Sequence, residues 1–106
     1  MDPKELAYEL KLALQEQIGS RLKDVVLFGS YFDQTMSADS DVDILIVLEG
    51  DYDYLMKRKI NDICYEFDLK YDVFIDNQLI SQQELTNGLR GKHPVFKNAL
   101  RHGYHV

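Results

Sequence analysis

The chain has 106 residues, 45% of them hydrophobic and 28% charged, a composition that fits one domain and argues against wholesale disorder. Eighteen Asp and Glu against twelve Lys and Arg give a formal charge of -6, which disfavours general nucleic-acid binding because duplex recognition needs a basic face. The single cysteine, Cys64, excludes an internal disulfide framework and a cysteine-cage zinc site.

No repeat, low-complexity run or linker interrupts the sequence, so residues 1–106 read as a single domain. A first helix is predicted from Pro3 to Ile18, with Asp2 as its cap, Pro3 at its first position and Gly19 as its stop. Leu6, Leu10, Ala13, Leu14 and Ile18 recur along it at helical spacing. Asp24-Val25-Val26-Leu27-Phe28 is a β-branched and aromatic run and reads as a buried strand, ended by Gly29-Ser30. Tyr31 to Ser40 shows no strand pattern and predicts a short helical turn followed by a loop.

Val42 to Leu48 is almost wholly apolar and predicts a second strand, central in its sheet. Its core, Ile44 to Leu48, is the longest apolar stretch and is too short to cross a bilayer. After a turn at Gly50-Asp51, the spacing of Met56, Ile60, Ile63, Cys64 and Phe67 predicts a helix from Tyr52 to Phe67. Tyr71 to Ile75 predicts a third strand. Short helices are expected from Ser81 to Thr86 and from Pro94 to Arg101, with Gly103 stopping the last. The fold class is therefore α/β, a small sheet flanked by helices. Met1-Asp2-Pro3 opens a charged segment without the apolar run of a signal peptide, so the expected location is the cytoplasm.

Chemistry concentrates in Gly29-Ser30, a gap of ten residues, and Asp41-Val42-Asp43. Residues two apart on a strand point to one face, so Asp41 and Asp43 direct two carboxylates to one place. Such a pair beside an apolar strand is costly without a cation, and no Lys or Arg lies between Lys23 and Lys57. An oxygen-only site suits Mg²⁺ or Mn²⁺ bound by carboxylates and substrate phosphates. Gly29 lets backbone approach a ligand closely, and a helical turn starting at Ser30 would offer its hydroxyl and free N–H groups to an anion. Asp72 adds a third carboxylate on the third strand, to ligate a metal or deprotonate an attacking hydroxyl.

Leu27-Phe28-Gly29-Ser30 and Ser40-Asp41-Val42-Asp43-Ile44-Leu45 together resemble the signature of minimal nucleotidyltransferases of the DNA polymerase β superfamily. Tyr71-Asp72-Val73-Phe74 resembles that family's third-carboxylate strand, and Pro94 to Gly103 its short C-terminal helix. The resemblance implies a polymerase β-type fold with a mixed sheet. It implies that Gly29 and Ser30 grip the triphosphate of ATP while Asp41, Asp43 and Asp72 hold two Mg²⁺ ions. It further implies AMP transfer to a protein hydroxyl. Free-standing members of this size resemble the antitoxin of HEPN–nucleotidyltransferase pairs, whose partner is an RNase toxin silenced by AMP. Many relatives carry an arginine soon after the Gly-Ser pair, whereas Tyr31 to Ser37 contains no basic residue. That departure keeps open a non-catalytic antitoxin that only masks its partner. A third reading, transfer to a small molecule, would need a second copy to complete the pocket.

The remaining signals read as ordinary structure. His93, His102 and His105 match no standard zinc spacing, and Lys57-Arg58-Lys59 reads as a solvated helix face. The seven Tyr and five Phe read as packing, and Cys64 as core.

Overall fold

Leu6, Leu10, Leu14 and Ile18 lie on one stripe of α1 (Pro3–Ile18) and seat it on a sheet in the computed structural model, which describes residues 2–29 and 41–106. The Asp2 carboxylate accepts the Lys4 N–H at 2.9 Å and caps the helix as its sequence predicts. A 3-10 turn, Gly19–Arg21, leads into β1 (Leu22–Phe28), which starts two residues earlier than the apolar run at Asp24 suggests. The segment from Tyr31 to Ser40, expected as a turn and loop, lies outside the described residues.

β2 (Val42–Leu48) runs antiparallel to β1, with Leu22 opposite Leu48 and Phe28 opposite Asp43. A crossover through α2 (Tyr54–Tyr71) returns the chain to β3 (Ile75–Ser81), parallel to β2. α3 (Gln82–Asn87) and α4 (Pro94–His102) follow, and a two-residue β4 (Tyr104–His105) pairs antiparallel with β1. The mixed sheet has the order β3-β2-β1-β4.

Strand alternation divides the core in two. Val25, Leu27, Ile44, Ile46 and Leu79 face α1 and α2, whereas Val26, Leu45, Val47 and Ile80 face Phe96 and Ala99 of α4. β2 is buried on both faces, which is why Ile44 to Leu48 is continuously apolar and central, as expected. This α/β architecture agrees with the expected class. Among the described residues no helix is long and apolar enough to cross a membrane.

The third strand is the main correction. Residues Tyr71 to Phe74 are not strand, and β3 begins only at Ile75: α2 continues to Tyr71, and Asp72 caps it in the left-handed region at φ 53°. The physical reason is that Ile60, Cys64, Phe67 and Tyr71 sustain the helical stripe one turn beyond Phe67. Tyr71 meets the Phe67 ring edge-on at 5.8 Å, and its hydroxyl donates to Glu9 Oε2 on α1. Asp68 then fastens the exit, its backbone carbonyl accepting the Val73 N–H at 3.2 Å and Oδ1 accepting the Ile75 N–H at 2.8 Å. Partial burial raises the Asp68 pKa, outweighing the lowering from the Ile75 hydrogen bond.

β4 carries too few residues for a sequence pattern, yet it has its own clasp. His105 Nδ1–H donates to Asp24 Oδ2 at 2.7 Å and Nε2–H donates to the Leu100 carbonyl at 3.0 Å. Both ring nitrogens are donors only in the imidazolium, so the Leu100 and Asp24 hydrogen bonds raise the His105 pKa. A raised pKa in the fold means stability that is fully present below the ordinary histidine value, about 6.5, and lost as pH rises through the folded-state value. His105→Ala is therefore expected to lower Tm most below about pH 6, with a gap that narrows as pH rises above the ordinary histidine value. A gap that stays constant across that range in thermal melts would exclude the charged clasp.

Cys64 is buried on the inner face of α2, and desolvation, then the nearby Asp68 charge, push its thiol pKa up to about 12. A thiol-specific disulfide reagent at about pH 8 should leave the native protein unmodified and react fully in denaturant, since the thiolate is the nucleophile. Rapid reaction under native conditions would show that this core opens.

Candidate active site

β1 and β2 bring Phe28 opposite Asp43, and the parallel β2–β3 ladder brings Asp43 level with Asp76. Directly paired residues share a face, so Asp43 and Asp76 both belong to the face that α4 covers, on strands about 4.8 Å apart. Both carboxylates are half-buried, and Asp41, one residue before β2, is exposed at the same end of the sheet. The Val42 N–H donates to the Phe74 carbonyl at 2.8 Å, so the β3 partner is attached as β2 begins.

Gly29 closes the opposite side. It leaves β1 at φ 77°, and a Cβ there would fall 2.1 Å from Asp43 Oδ2 and 2.8 Å from its carboxyl carbon. The Asp43 carboxylate thus occupies the space that any side chain at position 29 would need. Ser30, expected to grip phosphate with Gly29, lies outside the described residues.

Of the three expected carboxylates, Asp41 and Asp43 come to one end of the sheet and Asp72 does not share their strands. Asp72 is exposed at the cap of α2. The carboxylate in register with Asp43 is Asp76, which the sequence reading passed over. Its signal was weak because Asp76-Asn77-Gln78 interrupts the apolar pattern of β3, whose buried residues are Ile75 before it and Leu79 and Ile80 after it. Tyr71 to Ile75 is richer in aromatic and β-branched residues and draws the strand assignment four residues too early.

The donor chemistry fits a hard divalent cation. Asp43 and Asp76 present oxygens only, and the missing Cβ at Gly29 leaves Asp43 room beside the turn. Among the described residues no group of three or more His, Cys, Asp or Glu side chains gathers round one point. Two carboxylates with the remaining coordination from water and phosphate oxygens is the usual arrangement for Mg²⁺.

Two clefts lie along α4 on this face of the sheet. On the β1 side a cleft of about 520 Å³ is lined by Phe28, Gly29, Val95, Asn98 and His102. On the β3 side a cleft of about 820 Å³ is lined by Gln78, Arg90, Lys92, His93, Val95 and Phe96. Val95 belongs to both, so the first turn of α4 stands between them. The three histidines occupy separate places. His93 caps α4, its Nδ1 accepting the Val95 N–H at 3.1 Å, His102 lines the β1-side cleft, and His105 clasps β4.

Gly29→Ala is expected to cost about 1–2 kcal/mol through its left-handed backbone alone, and to displace the Asp43 carboxylate as well. Calorimetric titration with Mn²⁺ should show metal affinity falling about tenfold or more, because support around a ligand affects affinity on that scale. Unchanged affinity in a folded Gly29→Ala protein would show that the glycine does not shape the site.

The nucleotidyltransferase domain family matches residues 7–99, so the chain belongs to that family. Three relatives from Methanocaldococcus jannaschii are named, provisionally, protein adenylyltransferases. One is 37% identical over 87 residues, covering 82% of this chain and 81% of its own length. A second is 35% identical over 71 residues, covering 67% of this chain and 72% of the relative. A solved mutant form of the toxin–antitoxin MntA–HpeT superposes with a TM-score of 0.58 at 19% identity, over 99% of this chain and 72% of that one. It is similar in fold.

Proposed function

We propose that this nucleotidyltransferase moves AMP from ATP to a hydroxyl on another protein, in a reaction that depends on Mg²⁺. The observation that carries the reading is the register of Asp43 with Asp76 beside the side-chain-free Gly29. The names of the 37% and 35% identical relatives support a protein as acceptor.

Mg²⁺, held by Asp43 and Asp76 with Asp41 at the rim, would neutralise charge on the phosphates and on the entering and leaving oxygens. The chain's own residues do the rest. Gly29 allows backbone to approach the triphosphate, with the Ser30 hydroxyl next in sequence as its donor. Asp76 takes the proton from the acceptor hydroxyl as its oxygen forms a bond to the α-phosphorus. The bond from that phosphorus to the bridging oxygen breaks, and pyrophosphate leaves with the electron pair. Asp72, expected from the sequence as the third carboxylate, is replaced in this scheme by Asp76 because only Asp76 lies on the strand beside Asp43. The toxin–antitoxin neighbour supports a toxin as the acceptor, and the resemblance of the Gly29-Ser30 and Asp41–Asp43 motifs to HEPN-paired antitoxins makes that toxin a HEPN-type RNase and this chain its antitoxin. A second reading, an antitoxin that masks its partner without transfer, draws on the absence of Lys and Arg between Lys23 and Lys57.

The test is transfer of label from α-labelled ATP in a lysate of the source cells. Asp43→Asn and Asp76→Asn should each reduce labelling by about a hundredfold or more, on the scale of a lost charge-stabilising group, while Asp72→Asn stays near wild type. The reverse ranking of Asp72 and Asp76 would overturn the register-based assignment. A partner captured without label by all four proteins would favour masking.

A further inference from the structure

We propose that the β3-side cleft receives the acceptor, and that the segment it receives is an acidic stretch of polypeptide. The inference rests on the nucleotidyl-transfer reading for its place in the reaction, and on charge and geometry for its ligand.

Charge is distributed very unevenly along the chain. Residues 87–106 hold four of the twelve Lys and Arg and none of the eighteen Asp and Glu. That basic segment folds, as the Arg90–Lys92 turn and α4, over the face of the sheet that carries Asp43 and Asp76. The turn is held close against α3: a Cβ at Gly91 would fall 2.1 Å from the Glu84 carbonyl oxygen and 2.6 Å from Leu85 Cα. Glycine at this position therefore fixes where Arg90 and Lys92 project.

Arg90 is oriented before any ligand arrives. Its guanidinium lies 5.2 Å from the Phe96 ring centre, donates to the Tyr52 hydroxyl at 3.0 Å and stands 3.8 Å from Glu84. Lys92 and His93 are exposed beside it, with Phe96 and Val95 as the apolar wall and Leu89, 86% exposed, at the margin. Gln78 continues the floor, two residues along β3 from Asp76 and on the same face, about 7 Å away.

In-line displacement sets the direction of approach. The entering oxygen and the leaving pyrophosphate stand on opposite sides of the phosphorus. With phosphate gripped at Gly29 on the β1 side, the acceptor enters from the β3 side, where the basic cleft lies. A nucleic acid would need a longer basic track than this short segment on a chain of net charge -6. A few carboxylates with an apolar or aromatic neighbour match Arg90, Lys92, Phe96 and Leu89.

The experiment uses three labelled probes at one ionic strength: a random copolymer of glutamate and tyrosine, a copolymer of lysine and tyrosine, and polyuridylate. Fluorescence anisotropy should show the Glu,Tyr copolymer binding at least about tenfold more tightly than the other two. Lys92→Glu should weaken that binding about tenfold or more, and Lys92→Arg should preserve it, since the contact is a charge pair. Failure of the wild type to bind the acidic copolymer, equal binding by Lys92→Glu, or preference for polyuridylate would each overturn the proposal, the last assigning the cleft to nucleic acid. Binding of a fluorescent ATP analogue with Mg²⁺ to wild type and Asp43→Asn is measured separately. If that signal is absent while Lys92→Glu still loses the copolymer, the transfer reading fails and the acidic-segment site stands.

Discussion

Burial of β2 on both faces is the constraint on which the rest of the structure depends. Ile44, Ile46 and Leu48 join the core under α1 and α2, while Leu45 and Val47 join the core under α4. A slip of one residue against β1 or β3 would exchange these two sets and turn Asp43 to the other face. The apolar strand therefore does more than stabilise the domain. It sets the register that puts Asp43 opposite Phe28 on one side and Asp76 on the other.

β3 inherits that register through a junction made of polar contacts. Asp68 receives N–H groups from Val73 and Ile75, Asp72 turns the chain in the left-handed region, and Val42 donates to Phe74. Tyr71 ties the same junction to α1 through Glu9. Position 76 thus reaches Asp43 because the end of α2 is held from three directions, and the backbone of Asp72 caps the helix.

This junction also marks where sequence reading stops. Helix α1 and strands β1 and β2 were legible because each rests on a local pattern, a capped 3.6-residue stripe or an apolar run. Asp76 was not, because its register with Asp43 depends on a parallel ladder closed across a crossover helix. The polar run Asp76-Asn77-Gln78 looks like a loop until Ile75, Leu79 and Ile80 are seen to be buried around it. The same holds for β4, whose two residues are specified by Asp24 and Leu100 rather than by their own pattern. Arg90 and Lys92, which no motif marks, acquire meaning only when Gly91 seats their turn beside the sheet.

Placing the cations on α4 and the turn before it has an electrostatic consequence. Here the carboxylates lie at the end of the sheet and the basic side chains of the β3-side cleft are displaced along it, with Gln78 between. Separation of this kind lets one face hold a divalent cation and attract an anionic chain at different places along it. The acidic remainder of the domain then favours a ligand short enough to stay within the basic segment.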